Sequence, residues 1–261
     1  MERTPIAIDL GDFPQIFHGI LKDTPIYDSS CSNTARVWFI QQDGGLYLKT
    51  APSGSLQQEA LMTDYFHGKG LGAEVLHYEQ ADADWLLTRA VPGEDCIHKQ
   101  YLDDPKRLCD TLGQLLRMLH ETPSIGCPIP DRTTDYIATA EKNYRAGKWH
   151  PSRIPAGQTI ADAHEAWALV RQFSGALKND TLIHGDYCLP NIMLDNWNFS
   201  GFIDLGAAGV GDRHMDLFWG LWSLHYNLKT DAYRDRFLDC YGRDRFEPEI
   251  LNAIGAFEVF G

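Results

Sequence analysis

Residues 184–206 read HGDYCLPNIMLDNWNFSGFIDLG, and this segment limits the possible folds more than any other part of the chain. Three of its polar residues, Asp186, Asn191 and Asp204, stand five and thirteen residues apart. Short apolar runs precede the first acid and lie on both sides of the polar residues 196–198. The pattern predicts a loop, then a hairpin, and then a second polar turn just past a buried strand.

This spacing fits phosphoryl transfer. A kinase needs one carboxylate to accept the proton of a hydroxyl, and an amide oxygen with a second carboxylate to hold magnesium at the nucleotide phosphates. The protein-kinase pattern H-R-D-x-x-x-x-N is met by His184, Asp186 and Asn191. Gly185 takes the place of the Arg, and IDLG stands where D-F-G would. We therefore predict Asp186 as the base and Asn191 with Asp204 as the metal ligands, and a simple turn-forming loop is the alternative.

Three segments, HGDYCLPN, GFIDLG and DRHMD, give the chain a resemblance to the aminoglycoside phosphotransferases, in particular the 3′-kinases of kanamycin and neomycin type. The resemblance is close from about residue 181 to 226 and poor between 125 and 179. It implies a bilobal, protein-kinase-like α+β fold with ATP and Mg²⁺ as cofactors. It also implies phosphorylation of an aminoglycoside hydroxyl, which is a reaction of antibiotic resistance. Asp212 and Asp216 would cap helices and hold the catalytic loop, and His184 is predicted to brace that loop.

The predicted secondary structure changes from mainly strand to mainly helix near residue 92. Before it, ARVWFIQQDGGLYLKTA and AEVLHYEQADADWLLTRAV predict two strand pairs, with a helix between them that stops at Gly68. After it, DPKRLCDTLGQLLRMLHET carries leucines at helical spacing. We predict a small antiparallel-sheet lobe at residues 1–92 and a larger, mainly helical lobe at 93–261, with the nucleotide in the cleft between them.

The first lobe must supply a lysine for the phosphates and an acid to hold it. Lys49 ends the alternating run LYLK, and Glu59 lies on the following helix. A solvated lysine and a surface glutamate are the alternative. By resemblance, the loop that covers the phosphates contains Ser32 and Asn33, although SSCSNT has no glycine.

The resemblance also places residues of WLLTRAVPG at the adenine. Thr88 would guard the back of the base site, and Arg89 and Val91 would lie on the hinge. Because backbone groups make the hydrogen bonds at a hinge, these side chains carry no signal of their own.

The acceptor site is the least defined part of the prediction. Family members bind polycationic drugs with carboxylates, and here Glu258, Asp162 and Glu165 are the candidates. The region 142–153 is basic where the family is acidic. This difference supports a second hypothesis, a kinase of the same fold that acts on another small hydroxylated metabolite. A nucleotide-binding pseudo-enzyme is a third hypothesis, which the intact acids disfavour.

Bulk properties limit the partners. The formal charge of −13 argues against nucleic acid and agrees with a cationic small-molecule substrate. The N-terminus lacks the apolar core of a signal peptide, no apolar run reaches bilayer length, and the six cysteines form no C-x-x-C pair. We therefore expect a cytoplasmic enzyme with no membrane partner, as a monomer or weak dimer.

Overall fold

The computed structural model describes residues 3–31, 34–154 and 159–261. The chain forms two compact units. The first unit contains Met1–Asp95 and Ile192–Gly206, and the second contains Cys96–Asn191 and Ala207–Gly261. Within the described ranges, every helix is too short or too polar to cross a bilayer.

The described residues form eleven β-strands and nine α-helices. The strands are β1 Thr4–Pro5, β2 Ile26–Asp28, β3 Arg36–Ile40, β4 Leu46–Pro52, β5 Val75–Gln80, β6 Ala83–Arg89, β7 Glu94–Asp95, β8 Thr181–Ile183, β9 Ile192–Asp195, β10 Asn198–Phe202 and β11 Gly209–Gly211. The α-helices are α1 His18–Leu21, α2 Gln57–Gly68, α3 Lys99–Leu102, α4 Pro105–Glu121, α5 Arg132–Arg145, α6 Ala163–Phe173, α7 Arg213–Leu228, α8 Arg234–Tyr241 and α9 Pro248–Glu258. Short 3₁₀ helices cover Leu10–Asp12, Gln15–Phe17, Pro151–Arg153, Ser174–Ala176, Leu189–Asn191, Leu205–Ala207 and Arg243–Arg245.

A six-stranded antiparallel sheet forms the body of the first unit, in the order β1-β2-β3-β4-β6-β5. Both predicted strand pairs and the helix that stops at Gly68 are confirmed. The β3-β4 hairpin turns through Asp43, Gly44 and Gly45, which all have positive φ. Glycine tolerates this backbone region at low cost, which explains why the sequence signal was strong. The sequence did not predict β1 and β2, which extend the sheet from the N-terminal segment.

A second, three-stranded sheet in the order β10-β9-β7 also belongs to the first unit. β7 pairs with β9, with Asp95 opposite Met193. The backbone N–H of Phe202 donates to the carbonyl of Leu71 at 2.7 Å. These pairings explain why Ile192–Gly206 groups with the first unit, although the division predicted at residue 92 assigned everything after it to the second lobe.

The second unit is mainly helical, as predicted. α4 begins where the Asp104 carboxylate accepts a hydrogen bond from the backbone N–H of Arg107 at 3.2 Å. The leucines of α4 at helical spacing are all buried, namely Leu108, Leu112, Leu115, Leu116 and Leu119. α9 packs into a cluster of apolar and aromatic residues from α5 and α6, with Phe257 and Phe260 fully buried.

Candidate active site

The catalytic loop follows β8 directly, because His184 comes next after Ile183. Gly185 has φ +80°, and a Cβ on it would lie 2.1 Å from the carbonyl oxygen of Ala207. A side chain cannot be accommodated at that distance, so this position requires glycine. The requirement accounts for Gly185 where the protein-kinase pattern has Arg.

Asp216 on α7 holds the backbone of this loop through hydrogen bonds. Its carboxylate accepts hydrogen bonds from the backbone N–H groups of His184 and Gly185, each at 2.7 Å. Asp216 is fully buried, where a carboxylate needs such partners. The predicted role of Asp216 as the anchor of the loop is therefore confirmed.

His120 adds a third contact to Asp216, with Nε2 at 3.1 Å. Burial lowers the pKa of His120, so the neutral ring is favoured. Nδ1 lies 2.8 Å from the Tyr241 hydroxyl. In the neutral ring that satisfies both contacts, Nε2 donates to Asp216 and Nδ1 accepts from Tyr241.

Asp212 caps α7, as predicted, by accepting from the backbone N–H of His214 at 2.8 Å. It also accepts from the backbone N–H of Lys178 at 2.7 Å, which fixes the segment before β8. His184 is fully buried, and its Nδ1 lies 3.3 Å from the backbone N of Asp186. A buried ring in contact with the loop backbone suits the predicted brace better than proton transfer.

Asp186 and Asn191 lie together at the end of the loop. The Asn191 side-chain amide donates to the Asp186 carboxylate at 2.9 Å and to the Asp186 carbonyl at 3.0 Å. Asp186 is partly exposed, whereas Asn191 is 7% exposed. With its N–H₂ group turned to Asp186, Asn191 keeps its side-chain oxygen as an acceptor, which is the atom that a hard cation would use.

Lys49 of β4, Glu59 of α2 and Asp204 meet in the first unit. Lys49 Nζ lies 2.8 Å and 2.7 Å from the two Glu59 carboxylate oxygens and 3.0 Å from Asp204 Oδ1. Burial lowers the pKa of Lys49, but the charges of Asp204 and Glu59 outweigh burial and raise it overall. Lys49 is therefore cationic, and Glu59 orients it.

Asp204 differs from Glu59 in its exposure, since 53% of its side chain is accessible and the Glu59 side chain is only 11% accessible. It follows β10 and has φ +60°, a left-handed conformation that Asp adopts more readily than most residues. An accessible carboxylate oxygen on a short turn can accept a cation. Of the two proposed magnesium ligands, Asp204 belongs to the first unit and Asn191 to the second.

The phosphate-loop predictions Ser32 and Asn33 lie outside the described residues. Arg89 is exposed, and its guanidinium pairs with Glu74 at 2.9 Å. Val91 contacts Gly201, where an added Cβ would lie 3.0 Å from a Val91 methyl group. The hinge role of Arg89 and Val91 stays a prediction.

The proposed acceptor residues have structural partners of their own. Asp162 caps α6 by accepting from the backbone N–H groups of His164 and Glu165, and Glu165 accepts from the backbone N–H of Ala161 at 2.7 Å. Asp162 is thus the N-cap, and Glu165 reaches back to the backbone N–H of the residue before that cap, so both acids have a structural role. Their substrate role stays a prediction.

Glu258 is 4% exposed, and the Tyr136 hydroxyl donates to its carboxylate at 2.7 Å. Burial raises the pKa of Glu258 to about 7, and the nearby charge of Asp186 adds to the increase. The Tyr136 hydroxyl, the Arg153 charge and a polar contact from the Trp219 indole oppose it. Sequence reasoning missed Tyr136 and Trp219, because a single aromatic residue in a helix carries no signal that it will contact an acid far along the chain.

Comparisons with known proteins show the family to which the chain belongs. The model of the phosphotransferase enzyme family (APH) matches residues 28–252. The chain is 48% identical over 257 residues to a probable aminoglycoside 3′-phosphotransferase of Lactococcus lactis, covering 98% of both chains. It is 31% identical to a streptomycin 3″-kinase of Streptomyces griseus, covering 82% of this chain and 84% of that one.

A solved aminoglycoside phosphotransferase from Streptomyces rimosus, in complex with ADP and streptomycin, superposes with a TM-score of 0.73 at 23% identity. The superposition covers 96% of this chain and 99% of that one. This likeness confirms the predicted α+β kinase-like fold. On the family match and the full-length relative, the chain belongs to the phosphotransferase enzyme family of aminoglycoside phosphotransferases.

Proposed function

We propose that this chain transfers the γ-phosphate of ATP to the 3′-hydroxyl of an aminoglycoside. The observation that carries the proposal is the fixed catalytic loop, in which Asn191 orients the partly exposed carboxylate of Asp186. The 48% identical relative is a probable 3′-phosphotransferase and supports the choice of acceptor. The proposed site of action is the cytoplasm, where ATP is available.

Asp186 acts as the base in this proposal. Its carboxylate accepts a hydrogen bond from Asn191, which holds it in one orientation towards an incoming hydroxyl. The acid orients that hydroxyl and accepts its proton as the oxygen attacks the γ-phosphorus. Transfer is direct, so no phosphoenzyme forms, and positioning carries most of the rate increase.

Lys49 supplies positive charge to the nucleotide phosphates. Its ion pair with Glu59 keeps the ammonium in place, and its raised pKa keeps it charged at neutral pH. A preorganised charge costs no rearrangement during the reaction.

Asn191 and Asp204 would hold magnesium, which supplies charge neutralisation at the phosphate oxygens when it is bound. The residues fit that ion, because one offers an amide oxygen and the other an accessible carboxylate. Hard cations of this kind prefer oxygen ligands and keep several waters, so two protein ligands suffice.

The test is ATP turnover, measured by a coupled assay against a panel of acceptors. Kanamycin B and tobramycin form the decisive pair, because tobramycin lacks the 3′-hydroxyl and is otherwise the same molecule. We expect turnover of kanamycin B and none of tobramycin. Turnover of both would reject the 3′ position. Turnover of a sugar or an amino alcohol alone would support the metabolite-kinase hypothesis.

Asp186→Asn serves as the matched variant, since it keeps the side-chain volume and removes the base. We expect loss of turnover with nearly unchanged affinity for a non-hydrolysable ATP analogue. Retention of more than about a tenth of the wild-type kcat would remove Asp186 from the base role.

A further inference from the structure

Three aromatic residues, Trp219, Trp222 and Tyr226, follow one another along α7 and form what we call the aromatic ladder. The ring centroids of Trp219 and Trp222 are 5.5 Å apart, with the rings nearly perpendicular. Trp222 and Tyr226 are stacked at 5.1 Å with 8° between their planes. Residues at this spacing share one side of a helix, so the three rings form a continuous surface.

The ladder is not part of the buried core. Both tryptophans are only partly buried, and Tyr226 is 56% exposed. Large aromatic rings that stack on each other and stay accessible mark a binding surface more often than isolated exposed residues do. Proteins use such rings where a ligand presents both apolar and charged groups.

α7 also supports the catalytic loop. The hydroxyl of Ser223, one turn after Trp219, accepts the backbone N–H of Leu189 at 3.0 Å. Trp219 makes a polar contact with Glu258, whose carboxyl is close enough to Asp186 to be affected by its charge. Glu258 therefore links the first ring of the ladder to the base, and the other two rings continue along the helix.

The outer end of the ladder already binds a cation. The ammonium of Lys229 lies 4.2 Å from the centroid of the Tyr226 ring. Lys229 is exposed and ends α7 in a left-handed conformation with φ +56°. An exposed ammonium over a ring is weakly held, so a ligand ammonium can replace it.

We propose that the aromatic ladder binds the aminosugar rings of the acceptor, with ligand ammonium groups on the faces of Trp222 and Tyr226. This inference rests on the proposed function and names its means of substrate recognition. It differs from the carboxylate-lined site that the sequence predicted, in which Asp162 and Glu165 cap a helix and Glu258 is buried. Aromatic faces attract a polycation without a desolvated carboxylate, and the overall charge of −13 adds a favourable field.

The test uses steady-state kinetics with kanamycin B and ATP varied separately. Tyr226→Ala and Trp222→Ala should each raise the acceptor KM by about three- to thirtyfold, the range that cation–π contacts provide. The KM for ATP should stay within about twofold. Within the described part of the chain, the ladder contacts Lys229 and Glu258, which are not proposed to bind the nucleotide. Tyr226→Phe and Trp222→Phe are the conservative variants. Because each keeps an aromatic face, each should raise the acceptor KM less than the matching alanine does.

Lys229→Asn should change the acceptor KM in the opposite direction. It removes the competing ammonium and suits the left-handed backbone, so the acceptor KM should fall by about two- to fivefold. If the ladder had only a structural role, Lys229→Asn would change the stability of the protein and leave the acceptor KM unchanged.

The outcomes separate the two proposals. If wild-type protein turns over no aminoglycoside, the proposed function fails and the inference fails with it. If wild type turns over kanamycin B and both alanine variants keep its KM, the inference alone is overturned. Tyr226 is exposed, so Tyr226→Ala remains a valid test even if Trp222→Ala fails to fold.

Discussion

Asp216→Asn should damage the enzyme far more than its small chemical change suggests. The two carboxylate oxygens of Asp216 serve three donors, the backbone N–H groups of His184 and Gly185 and the ring Nε2 of His120. An asparagine has one oxygen and one N–H₂ group. In its better orientation, the asparagine oxygen still accepts from His184 and His120, which share one oxygen of Asp216. Its N–H₂ group then faces the backbone N–H of Gly185, and two donors cannot form a hydrogen bond.

The cost follows from that geometry. One hydrogen bond to a charged group is lost, and the partly buried N–H of Gly185 is left without an acceptor, which together cost about 3 kcal/mol of unfolding free energy. Because the loop carries Asp186, displacement of its backbone also slows the chemistry. A shift of about 1 Å at a reacting group costs on the order of a hundredfold, so kcat should fall at least tenfold.

Urea unfolding and kcat on purified protein measure the two effects. Asp235→Asn is the control, because that carboxylate is 81% exposed and pairs only at the surface with Arg243. The control should change the unfolding free energy by less than about 0.5 kcal/mol. If Asp216→Asn unfolds like the control and keeps its kcat, the buried carboxylate does not anchor the catalytic loop.

Three further substitutions test other parts of the site. Gly185→Ala should lower the free energy of unfolding in urea by about 3 kcal/mol or more, because the added Cβ would clash with the backbone of Ala207. Gly147 has φ +70° but open space around it, so the control Gly147→Ala should cost about 1 kcal/mol. Equal costs would show that the clash at Gly185 does not occur. Burial favours the protonated form of Glu258. The folded protein therefore has its full stability below the ordinary pKa of 4.5, and part of that stability is lost as the pH rises through about 7. Glu258→Gln should therefore match wild type in thermal unfolding near pH 4.5 and exceed it above pH 7, by up to about 3 kcal/mol, and a pH-independent difference would refute this pKa. Lys49→Ala should weaken the binding of an ATP analogue, measured by calorimetry, by about tenfold or more. Lys99 is exposed, so the control Lys99→Ala should bind the analogue like wild type. Equal affinities of the two variants would remove Lys49 from the nucleotide site.

The sequence predicted those elements whose formation depends on residues close together in the chain. The β3-β4 hairpin was predictable because two glycines allow its turn, and α4 because its leucines repeat at helical spacing. The polar motif predicted that Asp186 and Asn191 lie together, since five residues of loop keep them close.

Contacts between distant parts of the chain were not predictable in the same way. The grouping of Ile192–Gly206 with the first unit depends on a two-residue strand, Glu94–Asp95, which is too short to leave a periodic signal. The pairing of Tyr136 with Glu258 requires the positions of whole helices. The helix cap formed by Asp162 and Glu165 could not be distinguished from a substrate site in the sequence, because capping acids and binding acids have the same sequence signature.

The most direct test of the central claim is the structure of the reaction product. Kanamycin B, incubated with the protein, ATP and magnesium, is analysed by mass spectrometry and phosphorus NMR. The account predicts a product heavier by one phosphoryl group on the 3′-oxygen, and no such product with Asp186→Asn. Unmodified kanamycin B with wild-type protein, or an equal yield of phosphorylated drug from Asp186→Asn, would contradict it.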